Sequence, residues 1–420
     1  MLPLYRMKTN LNQWLSWLEQ AHPKSIDLGL DRIGQVAESL QLKQFPIPVI
    51  TVAGTNGKGS SVAMLTSIYQ AAGYHTATYI SPHLIDFRER VQIDGEMLSE
   101  KQWCDAMQTI DDVRGDVSLS YFEFTVLAGL LLIQQHQDQL DVIILEVGLG
   151  GRLDAINIIE PDVAVITTIE LDHVDYLGDT RELIGREKAG IFRANKPAVC
   201  GDFDVPNSVK AYAQQLNATL YCQAKDFSYQ EHDQAWTWKN QQIELVSLPR
   251  PALPLQNAAT VLQAIDLLQH GLPVTKSAMV QGLQQARAPG RFHILDGEVK
   301  TILDVAHNPH AAKYLATRLR QLPHARCLAV MGMLNTKDIA NTLLPLQSVV
   351  DAWYVAPLDN ANTVTTATFA EHLTNAVSEH ETITQAYQQA LTDAQNDDII
   401  LVCGSFYAVS EIMRLLEVSV

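Results

Sequence analysis

Leu11, Trp14, Leu15 and Leu18 recur at the spacing of one helix face, and Ile33, Val36, Ala37 and Leu40 repeat the pattern. The spacing predicts a pair of amphipathic helices separated by the irregular stretch S-I-D-L-G-L-D-R. From Val49 the period changes to short unbroken apolar runs, V-I-T-V-A, T-A-T-Y-I, D-V-I-I-L-E-V and D-V-A-V-I-T-T-I, with helical stretches between them. Runs apolar on both faces and separated by helices predict a parallel sheet covered on both sides. Residues from about 203 to 250 are more polar, and the alternation in A-W-T-W-K-N-Q-Q-I-E-L-V predicts a small hairpin outside that sheet. The proline cluster L-P-R-P-A-L-P-L leads into a predicted helix over 256–269. After R-A-P-G-R-F a second strand-helix series begins, with K-T-I-L-D-V, R-C-L-A-V-M-G-M, A-W-Y-V-A-P and D-I-I-L-V-C-G-S. The expected architecture is α/β in two domains. Residues 1–288 form an N-terminal P-loop-type parallel-sheet domain with helices on both faces, and 289–420 form a smaller C-terminal Rossmann-like α/β domain.

Composition narrows the class. The 420 residues are 47% hydrophobic and 18% charged, which is ordinary globular usage. The formal net charge of −17 disfavours nucleic acid as a partner, because binding a phosphate backbone needs a surplus of lysine and arginine. An anionic ligand must then be held by local dipoles, metal ions and a few placed cations. The opening M-L-P-L-Y-R-M-K-T-N lacks a long apolar core followed by a cleavage site, and no later stretch reaches membrane-spanning length without charges. Cys104, Cys200, Cys222, Cys327 and Cys403 are odd in number, scattered and set among apolar neighbours. That pattern suits reduced thiols in a cytoplasm rather than disulfides or a zinc site. A cytoplasmic monomer that binds neither membrane nor nucleic acid is expected.

The strongest chemical signal lies at Val49–Ser61, V-I-T-V-A-G-T-N-G-K-G-S-S. A strand, a glycine-rich turn and a helix predicted to begin at Ser60 are the context of a phosphate site. There backbone N–H groups and the positive end of the helix dipole meet the anion. The usual spacing G-x-x-x-x-G-K-[ST] does not fit, since Val52 stands where a glycine is expected and Gly59 where a hydroxyl is expected. Gly54, Thr55, Asn56, Gly57, Lys58, Gly59 and Ser60 are nevertheless assigned to nucleotide binding. Lys58 reaches the β and γ phosphates, and Ser60 or Ser61 supplies the hydroxyl. Glu146, ending the strand D-V-I-I-L, stands where open parallel sheets place ligands and suits a hard cation such as Mg²⁺. Taken singly, Asn257 reads as a helix cap, Arg291 as a linker charge and His173 as a loop histidine.

G-T-N-G-K-G-S, S-P-H-L at 81–84, E-V-G-L-G-G-R-L-D-A at 146–155, L-D-H at 171–173, G-R-E-K-A-G-I-F at 185–192 and D-V-A-H-N-P at 304–309 occur in this order. Together they resemble folylpolyglutamate synthases of the Mur ligase superfamily, most closely the bacterial bifunctional form that is also dihydrofolate synthase. The resemblance covers nearly the whole chain. In that superfamily the phosphate loop lacks the standard spacing.

The resemblance implies ATP and two magnesium ions as cofactors. Ser81, Glu146, His173 and Lys188 are the implied metal ligands, with Lys188 carbamylated to N6-carboxylysine. Lys58, His173 and Lys188 become the catalytic set, and Asn257, Arg291 and Asp304 contact ATP. For the pterin substrate it points to Gly29, Leu30, Asp31 and Arg32, to the loop from Pro82 and His83 to Arg90, to Phe122, Glu123 and Thr125, and to Leu153, Asp154 and Ala155. His307 and Ser405 belong to the region taking the incoming L-glutamate. The implied reaction, part of folate biosynthesis, joins L-glutamate to dihydropteroate and to reduced folates through an acyl phosphate. A muropeptide ligase would share the loop and the mechanism, but D-L-G-L-D-R and S-P-H-L…F-R-E-R fit the folate branch better. A P-loop switch without ligase activity would not need a second domain carrying D-V-A-H-N-P.

Overall fold

A computed structural model describes residues 8–418 apart from 25 and 234. The first seven residues, and the expectation about a leader that rests on them, lie outside the described residues. Among the described residues no helix is long and apolar enough to cross a membrane. The chain divides into two compact units. The first comprises residues 1–83, 87–171 and 177–286, and the second comprises 84–86, 172–176 and 287–420. The division falls at 286/287, beside the expected 288/289. A cut at one point in the chain does not foresee that Leu84–Asp86 and Asp172–Tyr176 belong to the second unit.

The first unit is built on an eight-stranded sheet. Its strands are β1 (Val49–Ala53), β2 (Thr76–Tyr79), β3 (Val91–Ile93), β4 (Glu96–Met97), β5 (Val142–Glu146), β6 (Val163–Ile166), β7 (Pro197–Cys200) and β8 (Thr219–Cys222). Their order is β4-β3-β2-β5-β1-β6-β7-β8. The sheet is parallel from β2 to β8, as the apolar runs predict, but β2, β3 and β4 pair antiparallel at one edge. β3 and β4 hold three and two residues, too short to leave a periodic signal. Every residue of β1 and β5 is buried, so both faces of the sheet centre are covered. Ile143 and Leu145 enter the core formed with helices Leu11–Ala21, Glu100–Arg114 and Tyr121–His136, while Ile144 between them faces the other way.

β1 lies between β5 and β6, although the chain leaves β1 for β2 first. Connections therefore diverge at the carboxyl ends of these three strands, and such a switch point is where open α/β sheets bind ligands.

The expected hairpin is a three-stranded antiparallel sheet, β9 (Phe227–Glu231), β10 (Ala235–Asn240) and β11 (Glu244–Pro249). Trp236 and Trp238 are buried from β10, and the Trp238 indole donates to the Ala259 carbonyl at 3.0 Å.

The second unit carries a six-stranded sheet of β12 (His293–Leu295), β13 (Lys300–Leu303), β14 (Cys327–Met331), β15 (Ala352–Val355), β16 (Ala376–Glu379) and β17 (Ile399–Cys403). The order is β12-β13-β17-β14-β15-β16, parallel except for β12 against β13. β17 enters between β13 and β14, which creates a second switch point at the ends of β13 and β17.

Candidate active site

The phosphate loop runs from the end of β1 into a helix that begins at Lys58 rather than at the expected Ser60. Gly57 caps that helix with φ +86, a left-handed conformation that glycine adopts without strain. A Cβ on Gly57 would come within 2.5 Å of the Asn257 amide, so the buried Asn257, in the first turn of helix Leu255–Leu268, lies directly against the loop. The loop is tied down by the strand end beyond β6. Thr55 N–H donates to the Thr168 carbonyl at 2.8 Å, Asn56 N–H to Thr168 Oγ1 at 3.1 Å, and Thr167 Oγ1 to the Asn56 carbonyl at 2.6 Å. Lys58 Nζ donates back to the Gly54 carbonyl at 3.0 Å. These bonds fix the loop's path before any ligand arrives.

Glu146 ends β5 in register with Val52 of β1. Its carboxylate oxygens lie 3.9 and 4.0 Å from where a Cβ on Gly59 would stand, so the missing side chain leaves the loop open toward the carboxylate. Ser81 N–H donates to Glu146 Oε2 at 3.3 Å. Ser81 Oγ is buried and has no hydrogen-bond partner among the described residues. A carboxylate with an adjacent unpartnered hydroxyl, beside a phosphate loop, is a donor set that Mg²⁺ completes with phosphate oxygens and water. Among the described residues no group of three or more His, Cys, Asp or Glu side chains forms a metal cluster.

The glycines of E-V-G-L-G-G-R allow close packing. A Cβ on Gly148 would meet the Phe122 ring at 2.5 Å, and one on Gly151 would meet the main chain of Glu187 and Lys188 at 2.8–3.1 Å. Lys188 itself is buried, 3% exposed, on helix Arg181–Ala189. Asp154 accepts from Leu149 N–H at 2.8 Å and Ile156 N–H at 2.9 Å. Burial pushes its carboxyl up to about 6 against those bonds and the nearby Lys58 charge. Thr125 Oγ1 donates to the Phe122 carbonyl, and Glu123 accepts from Ser120 N–H at 2.8 Å in a capping box. Arg32 NH2 lies 3.1 Å from Glu123 Oε1, and Gly29 N–H donates to the Leu153 carbonyl at 3.3 Å. The S-I-D-L-G-L-D-R loop and the L-D-A segment are therefore joined. Arg90 Nε donates to His83 Nδ1 at 3.2 Å, which leaves the His83 proton on Nε2.

In the second unit the loops after β13 and β17 run side by side, with Gly404 N–H donating to the Ala306 carbonyl at 3.0 Å. Asp304 is half-buried and accepts from Phe292 and Ala306 N–H, each at 2.8 Å; desolvation raises its pKa above the usual carboxylate value against the Arg291 charge. The Arg291 guanidinium stands 5.0 Å over the Phe406 ring. Ser405 Oγ is engaged as the cap of helix Phe406–Leu415 by Tyr407 N–H at 2.8 Å. Asp172 accepts from Lys337 Nζ at 2.7 Å and Asn308 Nδ2 at 3.4 Å, and His307 Nε2 lies 3.6 Å away. Burial would raise the Asp172 carboxyl, but His307, Lys337 and His173 outweigh it and hold the group well below the usual range.

Residues 52–250 match the Mur ligase middle domain and residues 290–406 the Mur ligase glutamate ligase domain. The dihydrofolate synthase/folylpolyglutamate synthase of Escherichia coli K12 is 48% identical over 409 residues, covering 97% of this chain and 96% of that protein. The chain belongs to the dihydrofolate synthase/folylpolyglutamate synthase family. The structure of Escherichia coli FolC in complex with DHPP and ADP superposes with a TM-score of 0.94 at 46% identity, covering 98% of each chain. A bifunctional folylpolyglutamate synthase/dihydrofolate synthase with Mn, AMPPNP and L-glutamate bound gives 0.92 at 46% identity, covering 98% of this chain and 99% of that one.

Within this family member the first unit brings together the loop Gly54–Ser60, Asn257, Ser81 and Glu146, and separately joins Gly29, Arg32, Glu123 and Leu153. The second unit groups Arg291 with Asp304, and His307 with the L-D-H segment. His173 has φ +52 and a half-exposed ring, and Lys337 Nζ is 3.4 Å from its Nε2. The implied four-member metal set is thus divided, with Ser81, Glu146 and Lys188 in the first unit and His173 in the second. Sequence reasoning did not single out Asp172 and Lys337; Asp172 stands beside His173 in L-D-H, while Lys337 has no assigned residue near it in the chain. It also missed Thr167 and Thr168, whose signal is the polar T-T ending an otherwise apolar run.

Proposed function

We infer that this protein is an ATP-dependent ligase that joins L-glutamate to dihydropteroate, forming dihydrofolate, and to the glutamate tail of reduced folates. The observation that carries the reading is the G-T-N-G-K-G-S loop at the sheet's switch point, open through Gly59 toward Glu146 and Ser81, in a chain of this family. The loop N–H groups and the start of helix Lys58–Ala71 receive the ATP phosphates, and Asn257 takes a place beside the adenine. Lys58 turns from its loop carbonyl to the γ-phosphate as charge spreads over the phosphoryl oxygens. The substrate carboxylate attacks that phosphorus to give an acyl phosphate and ADP. The α-amino group of L-glutamate then attacks the acyl carbon, releasing phosphate and leaving an amide. Magnesium held by Glu146 and Ser81, with a second ion near Lys188, would neutralise phosphate charge. Carbamylation would turn the buried Lys188 ammonium into a carboxylate suited to that ion.

Gly29–Arg32, Phe122–Thr125 and Leu153–Ala155 form the pterin site in this reading, and the Asp304–His307 and Ser405 loops serve ATP and L-glutamate. The five cysteines are all free thiols, which supports a reducing, cytoplasmic setting. The test is a substrate panel of dihydropteroate and tetrahydrofolate, each with ATP, Mg²⁺ and L-glutamate. Glutamate-dependent ADP release with both is expected; product from only one would remove the bifunctional assignment. Turnover indifferent to any pterin would remove the folate reading. For Lys188, activity of Lys188→Ala recovered by an added short-chain carboxylate is the expected result, and none at any concentration would argue against carbamylation.

A further inference from the structure

Between helices Leu11–Ala21 and Asp31–Ser39 one carboxylate collects contacts from three directions. His22 Nε2 lies 3.1 Å from Asp27 Oδ2, Arg32 NH1 lies 3.0 Å from the same oxygen, and Lys24 Nζ lies 3.2 Å from Oδ1. The Asp27 main-chain carbonyl also accepts from Arg32 NH2 at 2.8 Å. These contacts hold the Asp27 carboxyl below the usual range, the Lys24 and His22 hydrogen bonds leading. Lys24 is well exposed and adds little as an ion pair, so the anchoring contacts are His22 and Arg32.

Each of these two partners also meets the segment before or within helix Tyr121–His136, His22 at its other ring nitrogen and Arg32 through an ion pair of the NH2 that donates to the Asp27 carbonyl. His22 must donate through Nε2, since a carboxylate only accepts, and its Nδ1 is hydrogen-bonded to Ser118 Oγ at 2.8 Å. Arg32 NH2 reaches Glu123, which the capping box with Ser120 already holds. Asp27 thus straps the loop containing Leu28, Gly29 and Leu30 to that helix start by two separate side-chain routes. The Gly29 N–H bond to Leu153 then falls on a loop whose position is already set.

We propose that Asp27 is a positioning residue for pterin binding: it orients Arg32 onto Glu123 and holds the Leu28–Asp31 loop in its binding shape. The proposal rests on the reading that Gly29–Arg32 and Phe122–Thr125 receive the pterin. Asp27→Asn keeps the volume and removes the charge that a guanidinium needs for a paired contact. Its expected effect is a KM for dihydropteroate raised about tenfold, with kcat, the KM values for ATP and L-glutamate, and Tm little changed, since a loop that only binds contributes equally to ground and transition states. Asp27→Glu, which retains the charge, should recover most of the loss. Leu30→Ala, on the loop itself, serves as the control for the pterin site.

If Leu30→Ala raises the dihydropteroate KM and Asp27→Asn does not, the anchoring role is overturned while the pterin site stands. If neither does, the pterin-site reading fails and the proposal with it. A uniform rise in all KM values with a lower Tm would make Asp27 a general structural residue and overturn the proposal. Should Asp27→Asn fail to fold, His22→Gln removes only one route and should show the same KM split at about threefold.

Discussion

Asp154 and Asp172 are both carboxylates largely withdrawn from water, one in each unit, and their acidities move in opposite directions. Asp154 has main-chain N–H donors and the Lys58 charge nearby, and burial wins, pushing it up to about 6. Asp172 is in direct contact with Lys337, with His307 close by, and burial loses. Main-chain donors and one cation out of contact therefore leave a buried carboxylate with a raised pKa, while cations close against it hold the pKa down. The two regions follow the same division. The phosphate loop offers an anion main-chain N–H groups held by glycine geometry and threonine hydroxyls. The strand-end loops of the second unit present side-chain charges.

The largest expected effect tests Lys58, the lysine of the first of these regions. Lys58→Ala should lower the rate with dihydropteroate and with tetrahydrofolate by the same factor, about a thousandfold or more, because one phosphate site serves both reactions. Steady-state ADP release with each substrate checks this; loss of only one activity would mean two phosphate sites.

Next comes the pair of carboxylates, read through unfolding in urea across pH. An acid whose folded pKa is raised contributes stability below its unfolded value of 3.8 and loses it as pH rises through about 6. Relative to Asp154→Asn, the wild type should therefore lose about 3 kcal/mol between pH 4 and 7, from a shift of roughly two units at 1.36 kcal/mol each. For Asp172 the sign reverses. Its depressed pKa supplies stability above the unfolded value, and that stability is lost only as pH falls below about 4. Asp172→Asn should be less stable than wild type by about 3 kcal/mol at pH 7, with the gap unchanged down to pH 4 and closing below it. Two variants with the same pH slope would break the comparison.

The smallest effect tests the geometry of the phosphate loop. Gly57→Ala must adopt φ +86 and bring a Cβ within 2.5 Å of the Asn257 amide, so a loss of about 1–2 kcal/mol and a raised ATP KM are expected. Adding Asn257→Ala relieves the contact but not the backbone strain, and should recover stability only in part. Full recovery would assign the whole cost to the side-chain contact.

Much of the candidate site could be proposed from the sequence because its chemistry is local. A phosphate loop, its lysine, and the carboxylate closing an apolar run each leave a mark within a few residues, so Lys58 and Glu146 could be named from their neighbours. The antiparallel edge β3–β4 was not legible, since two or three residues carry no period. Nor was the third strand β9, whose F-S-Y-Q-E lies in a polar region and pairs only because β10 is there to receive it. Asp172 was passed over for a different reason. Beside His173 it reads as an ordinary loop acid, and its partners Lys337 and His307 lie 165 and 135 positions further along the chain.

The sequence by itself determined the alternation of strands and helices, the phosphate loop and the family, because periodicity and short motifs depend on neighbouring residues. The tertiary structure alone decided that Asn257 closes on Gly57, that Asp27 straps a loop to a helix start through His22 and Arg32, and that Asp154 and Asp172 ionise at different pH. Those outcomes depend on burial and on contacts between distant positions, and a carboxylate's energy is set by what surrounds it in space.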